Sequence, residues 1–238
     1  MSRLLLAASL LVALSTHALA DRINPDLIGP TFARPPSGWQ AQPDRPDRTE
    51  PARAPQYWRG VLDRSEVRAK LAAARAANLA RFRAYQQKGV FPSNTFADQM
   101  LNVWRDEAGH LCAAATIINA SGQAALVAKV AQEDNFIRLA DVTDGPLMDW
   151  ILTSGFTQAE IAAIQEPFSP VMRQQPTEPE PARIVAVDPA RRRAEDARLL
   201  RKYRQVEAML IKDQRASLEI AVDRLMAYPA LARQLVRG

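Results

Sequence analysis

Residues 91–122 read FPSNTFADQMLNVWRDEAGHLCAAATIINASG. Phe91-Pro92 forces an extended start, because proline disfavours the helical region for the residue before it. Asn94 and Asp98 are turn formers. Met100 to Arg105 alternates weakly and carries Val103 and Trp104, which predicts a short strand. Asp106-Glu107-Ala108-Gly109 is a turn with a glycine able to take positive φ. His110 to Cys112 is expected to return as a brief strand, so that a small β-hairpin runs into a buried helix over 113–120. Ser121-Gly122 ends that helix.

Before this stretch, Asp63 is placed to cap a helix, with Glu66 at capping-box spacing. Val67, Leu71, Ala74, Asn78, Phe82 and Tyr85 follow at helical steps and mark one face. Arg68, Lys70, Arg75, Arg81 and Arg83 fall on the other faces and read as a solvated, basic surface. Gly89 stops the helix. After the stretch, 123–134 resumes as a helix with Leu126, Val127 and Val130 inward. Asp144 then starts an element with Pro146 in its first turn. Its buried face is Leu147, Trp150 and Ile151, and Gly155 stops it. Thr157 with Glu160 is a capping box directly before Ile161 and Ile164. These starts and stops predict a mainly α fold: a compact helical domain with a small β-hairpin over 58–168, plus a long C-terminal amphipathic helix.

The outer segments differ in kind. Residues 1–20 read as a signal peptide. Arg3 is the positive end, 4–14 is an apolar core, and Ala18-Leu19-Ala20 is a small-x-small cleavage site. The apolar run is about half the ~20 residues a membrane-crossing helix needs. The mature chain is expected to start near Asp21, to carry no transmembrane span, and to be periplasmic or secreted. Residues 21–57 form a Pro-rich linker with NPDLIGP, ARPPSG and QPDRPDRTEP. Proline removes a backbone donor, and no apolar period survives there, so disorder is expected. Residues 169–188 form a second linker, rich in Pro and Glu around QQPTEPEP.

Asp188-Pro189 is a strong helix start, and 189–238 is a basic amphipathic helix. Leu199, Tyr203, Val206 and Leu210 make its stripe, which then jumps to Ile211, Leu218, Val222 and Leu225. From Pro189 onward, twelve Lys and Arg stand against six Asp and Glu. That surplus exceeds the formal +5 of the whole chain, so the basic character belongs to this tail. Two partner classes fit. The stripe over 189–228 suits self-association or a partner helix as a coiled coil, with docking onto the chain's own central domain as the alternative. The charge suits an anionic envelope polymer or lipid headgroups.

The chemistry is bounded by scarcity. The whole chain holds one Cys and two His, and cutting the leader leaves His110 alone. A His-rich or Cys-rich metal site is excluded by count, and a single Cys makes no internal disulfide. No Walker loop, G-x-G-x-x-G or H-E-x-x-H occurs. No cofactor is expected. The one nucleophilic set the residues allow is Cys112 as nucleophile, His110 as base and Asp106 as the carboxylate that orients it. Residues two apart share a face only on a strand, and Cys112 among small apolar residues reads first as a buried thiol.

The central block resembles a family of exported bacterial proteins known by pattern and of uncharacterised activity. The pattern runs Asn78-Leu79, Tyr85, Gly89, Phe91-Pro92, Asn94, Arg105-Asp106, Gly109, Cys112-Ala113, Ser121-Gly122 and Leu126-Val127. It closes with Asn135, Leu139-Ala140, Trp150, Gly155, Thr157 and Ile164-Gln165, and so covers about 78–168. In relatives a His often follows the Cys-Ala block, where this chain has Thr116. The resemblance implies export and a shared domain, and names no activity. Taken together, these readings predict an exported non-enzymatic binding or scaffold protein of the cell envelope. The alternative is a hydrolase using a Cys-His pair.

Overall fold

Asp63 opens the first helix, α1 (Arg64–Lys88), by accepting from the Ser65 backbone N–H and hydroxyl at 2.7 and 2.9 Å. Glu66 stays exposed and does not close the expected box. Gly89 ends α1 in the left-handed region at φ 62°, donating to Tyr85 O. The computed structural model describes residues 62–172 and 187–238, which lie in one compact unit, Arg59–Gly238. The expected signal peptide (1–20), the expected Pro-rich linker (21–57) and most of the expected second linker (169–188) fall outside the described residues.

The remaining helices are α2 (Ala113–Ala120), α3 (Ala124–Glu133), α4 (Gly145–Thr153), α5 (Gln158–Ile164), α6 (Pro189–Lys212), α7 (Gln214–Met226) and α8 (Pro229–Arg237). A single 3-10 turn, Leu139–Asp141, separates α3 from α4. The mainly helical, compact class is as the sequence predicts. Thr157 and Glu160 form the reciprocal capping box at the head of α5.

The β-hairpin does not form. Arg105 and Leu111 make an isolated antiparallel bridge around the 106–110 turn, and no strand extends from it. The reason lies in competition for backbone groups. Trp104 N donates to Asn135 O, while the Asn135 side chain accepts from Arg105 N and donates to Arg105 O. Cys112, the intended return strand, is instead the N-cap of α2.

Around α1 the chain folds as a wrap. α2 packs beside its C-terminal half and α7 beside its N-terminal half. One core runs through every helix, with Trp104, Tyr203, Phe82, Phe156 and Phe168 its largest sealed side chains. Burying each such ring contributes about 1.5–3 kcal/mol.

The long C-terminal helix is three helices. It breaks at Asp213 and again at Tyr228 before Pro229. The break at Asp213 sits where the apolar stripe jumps, so α6 and α7 each turn their own face inward. Leu199, Tyr203, Val206 and Leu210 of α6 and Leu218, Val222 and Leu225 of α7 are all buried. The seam that the sequence offers to a partner helix therefore faces the chain's own core. Residues 169–172 are also tied in: Phe168 exchanges backbone bonds with Leu101, Val171 donates to Asn94 O, and Asp188 donates to Val171 O.

Candidate binding pocket and the Cys-His-Asp set

The three candidate residues separate into a pair and an outlier. Asp106 is buried at the start of the turn, and one carboxylate organises the loop. It accepts from Ser93 N at 3.0 Å, from His110 N at 2.8 Å and faces His110 Nδ1 at 3.0 Å. An ionised carboxylate only accepts, so Nδ1 carries the proton and Nε2 is the nitrogen left open. The His110 side chain is 44 % exposed. The structure thus brings an imidazole and its orienting acid together.

Cys112 points the other way. It is 1 % exposed, and its sulfur accepts from Ala115 N at 3.4 Å as the cap of α2. Burial pushes the thiol up to about 12, against the weaker downward pull of the helix N–H groups. Tyr85 and Tyr203, both raised in pKa by burial, lie within electrostatic reach of the sulfur. The thiol therefore belongs to the aromatic core, and His110 to the surface.

What His110 does face is a hollow of about 350 Å³ between α1 and α2. Arg81 and Lys88 enter it from α1, His110 from the turn, and Thr116 and Asn119 from α2. Ala84, Tyr85, Val90 and Leu111 supply apolar wall. Arg81 and Lys88 are seven residues apart, about two helical turns, so they share one face of α1. Arg81 is steadied by its bond to Asn78 Oδ1 at 2.7 Å, and Asn78 in turn donates to Ser154 O. Among the described residues no carboxylate lines this hollow; Asp106 lies behind the imidazole.

Sequence reading placed Arg81 on a solvated face and left Lys88 unassigned. Thr116, noted only for replacing a His, lies in the same hollow as His110. The readable signal was the two-turn spacing of Arg81 and Lys88. What it lacked was the knowledge that α2 lies against that face.

A wider hollow of about 750 Å³ lies between α4 and α8. Its indole N–H is spent on Ser121 Oγ and its Thr153 hydroxyl on backbone carbonyls, which leaves a less organised set of donors. Among the described residues, no three His, Cys, Asp or Glu gather closely enough to hold a metal ion. No helix among them is long and apolar enough to cross a membrane. Compared with known protein families, curated proteins and solved structures, the chain matches none.

Proposed function

We propose that this is an exported, non-enzymatic binding protein of the bacterial cell envelope that recognises its ligand by shape and charge. The observation that carries the reading is the separation of Cys112 from His110. The sulfur caps α2 inside the core while the imidazole opens outward onto a basic hollow. Nucleophilic catalysis needs the nucleophile within hydrogen-bond reach of its base. The hydroxyl nearest in chemistry, Thr116, donates to Leu111 O at 3.4 Å and so is directed at backbone. Export rests on the leader-like residues 1–20, and the preference for an anionic partner on the charge of the tail.

The test is chromatographic and chemical. The mature chain should bind an anionic resin and elute with salt, with no turnover of model esters or amides. Ester hydrolysis that vanishes in Cys112→Ala, with native-state labelling of that thiol, would establish the Cys-His hydrolase instead.

A further inference from the structure

We infer that the hollow between α1 and α2 is a receptor for a single phosphate group, held by Arg81, Lys88 and His110. This deepens the binding-protein reading and rests on it. Three cationic or protonatable donors come from separate points: Arg81 and Lys88 two turns apart on α1, and His110 on the turn. A tetrahedral phosphate offers three terminal oxygens to such a set, whereas a carboxylate offers two in one plane. Thr116 and Asn119 add a hydroxyl and an amide from α2.

Two features oppose an anion and can be weighed. The C-terminal ends of α1 and α2 both border the hollow, and each contributes roughly half a negative charge. Gly89 N already covers Tyr85 O, and Ser121 N covers Ile117 and Ile118 O, so these ends are partly neutralised. Two cations, neither paired with a carboxylate among the described residues, outweigh them. Lys88, in the last turn of α1, also sits where the helix end stabilises its charge.

His110 makes the site sensitive to protons. Asp106 holds the Nδ1 hydrogen, so Nε2 donates to a phosphate oxygen only when the ring takes a second proton. The titratable and charged groups around the ring are Asp106 from its own turn and Arg81, Tyr85 and Lys88 from α1; α2 presents Thr116, Asn119 and Ala120, which carry no charge. Binding through Nε2 is therefore coupled to proton uptake at His110.

The experiment titrates inorganic phosphate into the full mature chain and follows the His110 ring resonances by NMR. Sedimentation with phosphatidic acid vesicles, whose headgroup is a phosphate monoester, and with phosphatidylcholine vesicles as control, runs in parallel. Saturable shifts of His110 are expected, weakened about 10-fold or more in Arg81→Gln and in Lys88→Gln. Arg204→Gln, on the exposed side of α6, should leave them unchanged. His110→Gln, which lacks the reporter ring and is followed by isothermal titration calorimetry, should weaken phosphate binding by a factor similar to that for Arg81→Gln. Phosphate binding without pelleting assigns a free phosphate; pelleting on the anionic vesicles that phosphate competes away assigns a lipid headgroup. Either supports the site.

A His110 spectrum indifferent to phosphate overturns it, as does equal tightness for acetate. If Arg204→Gln weakens binding as much as Arg81→Gln, the pocket falls while general charge-driven binding stands. Turnover that depends on Cys112 would instead bring down the binding-protein reading beneath it.

Discussion

Arg75 and Glu160 meet as a two-pronged pair, Nη2 to Oε1 at 2.7 Å and Nη1 to Oε2 at 2.8 Å, with 2 % and 5 % of each residue exposed. Arg75 also donates to Gly155 O and Leu210 O, and its guanidinium lies 4.8 Å from the Phe156 ring centre. One side chain of α1 thus ties together the loop before α5, α5 itself and the end of α6. Replacing only Arg75 with Met strands a buried carboxylate and should cost about 3–5 kcal/mol in urea unfolding. The double change to Met at both positions should cost clearly less, because no charge is left unpaired. A double variant that loses the sum of the two single losses would show that the pair does not act as a unit.

Acid should unfold the protein through this pair and through Glu195. Burial works against each carboxylate, but Arg75 and Thr157 N–H at Glu160, and Arg198 and Ser169 N–H at Glu195, outweigh it and hold both pKa values below the usual range. A folded-state pKa lower than the unfolded one means that the unfolded chain takes up more protons in between. The stabilisation is therefore present above the unfolded value of about 4.3 and lost as pH falls through the folded one. Urea midpoints measured from about pH 6 to about pH 3 should drop less steeply in Glu160→Gln than in the parent chain. An unchanged slope would remove Glu160 from the acid response.

The buried arginine also shows where sequence reading stops. Hydrophobic periodicity assigned Ala74 to the inner face of α1 and Arg75 to the outer, whereas Arg75 is the buried one. Its burial depends on a carboxylate and two carbonyls from 80 to 135 residues away, which no local pattern contains. The Thr157 box was legible because both partners sit within one turn. The hairpin failed because the Asn135 carbonyl took the Trp104 N–H that would have faced Cys112, whose own carbonyl accepts from Thr116 N as α2 opens. At the site, the nearness of Asp106 and His110 could be read from four-residue spacing around Gly109. The basic hollow could not, since it exists only once α2 lies on α1.

Gly155 should be the least replaceable glycine. Its φ is +79°, and an added Cβ would stand 2.2 Å from Leu71 O and 2.7 Å from Arg75 N, both backbone atoms of α1. Gly155→Ala should cost at least ~2 kcal/mol through strain and forced separation of the elements that hold Arg75. Gly122→Ala, with φ +92° and open space, should cost only about 1–2 kcal/mol. Thermal unfolding of the two variants side by side checks the order; equal losses would mean that the close approach carries no cost.

Tyr203 offers a rarer outcome, a deletion that does no harm. Its ring touches Phe82, Tyr85 and Phe91 at centroid distances of 5.6 Å. Its hydroxyl, like that of Tyr85, is buried without a hydrogen bond of good geometry. Tyr203→Phe keeps the ring and removes the unsatisfied oxygen, so stability should hold or rise by up to about 1 kcal/mol. Tyr203→Ala should lose about 3–5 kcal/mol. A clear loss in the Phe variant would mean that the hydroxyl has a partner, the neighbouring Tyr85 hydroxyl.

Cys112 should be silent until the chain opens. With the thiol at about 12, its thiolate fraction near pH 8 is only about 10⁻⁴, and the sulfur is sealed by α2 and the aromatic core. A neutral, uncharged thiol reagent should modify it at least ~10³-fold more slowly in buffer than in denaturing urea. The residual native rate should track global stability, so destabilising Gly155→Ala should speed it in proportion to the change in unfolding equilibrium. Two effects, burial and ionisation, are separable here, because raising the pH of the folded protein increases ionisation without opening the core. A rate that climbs with pH yet ignores stability would mean that reagent reaches the sulfur in the closed fold. That result would return Cys112 to the surface beside His110 and reopen nucleophilic chemistry for the pair.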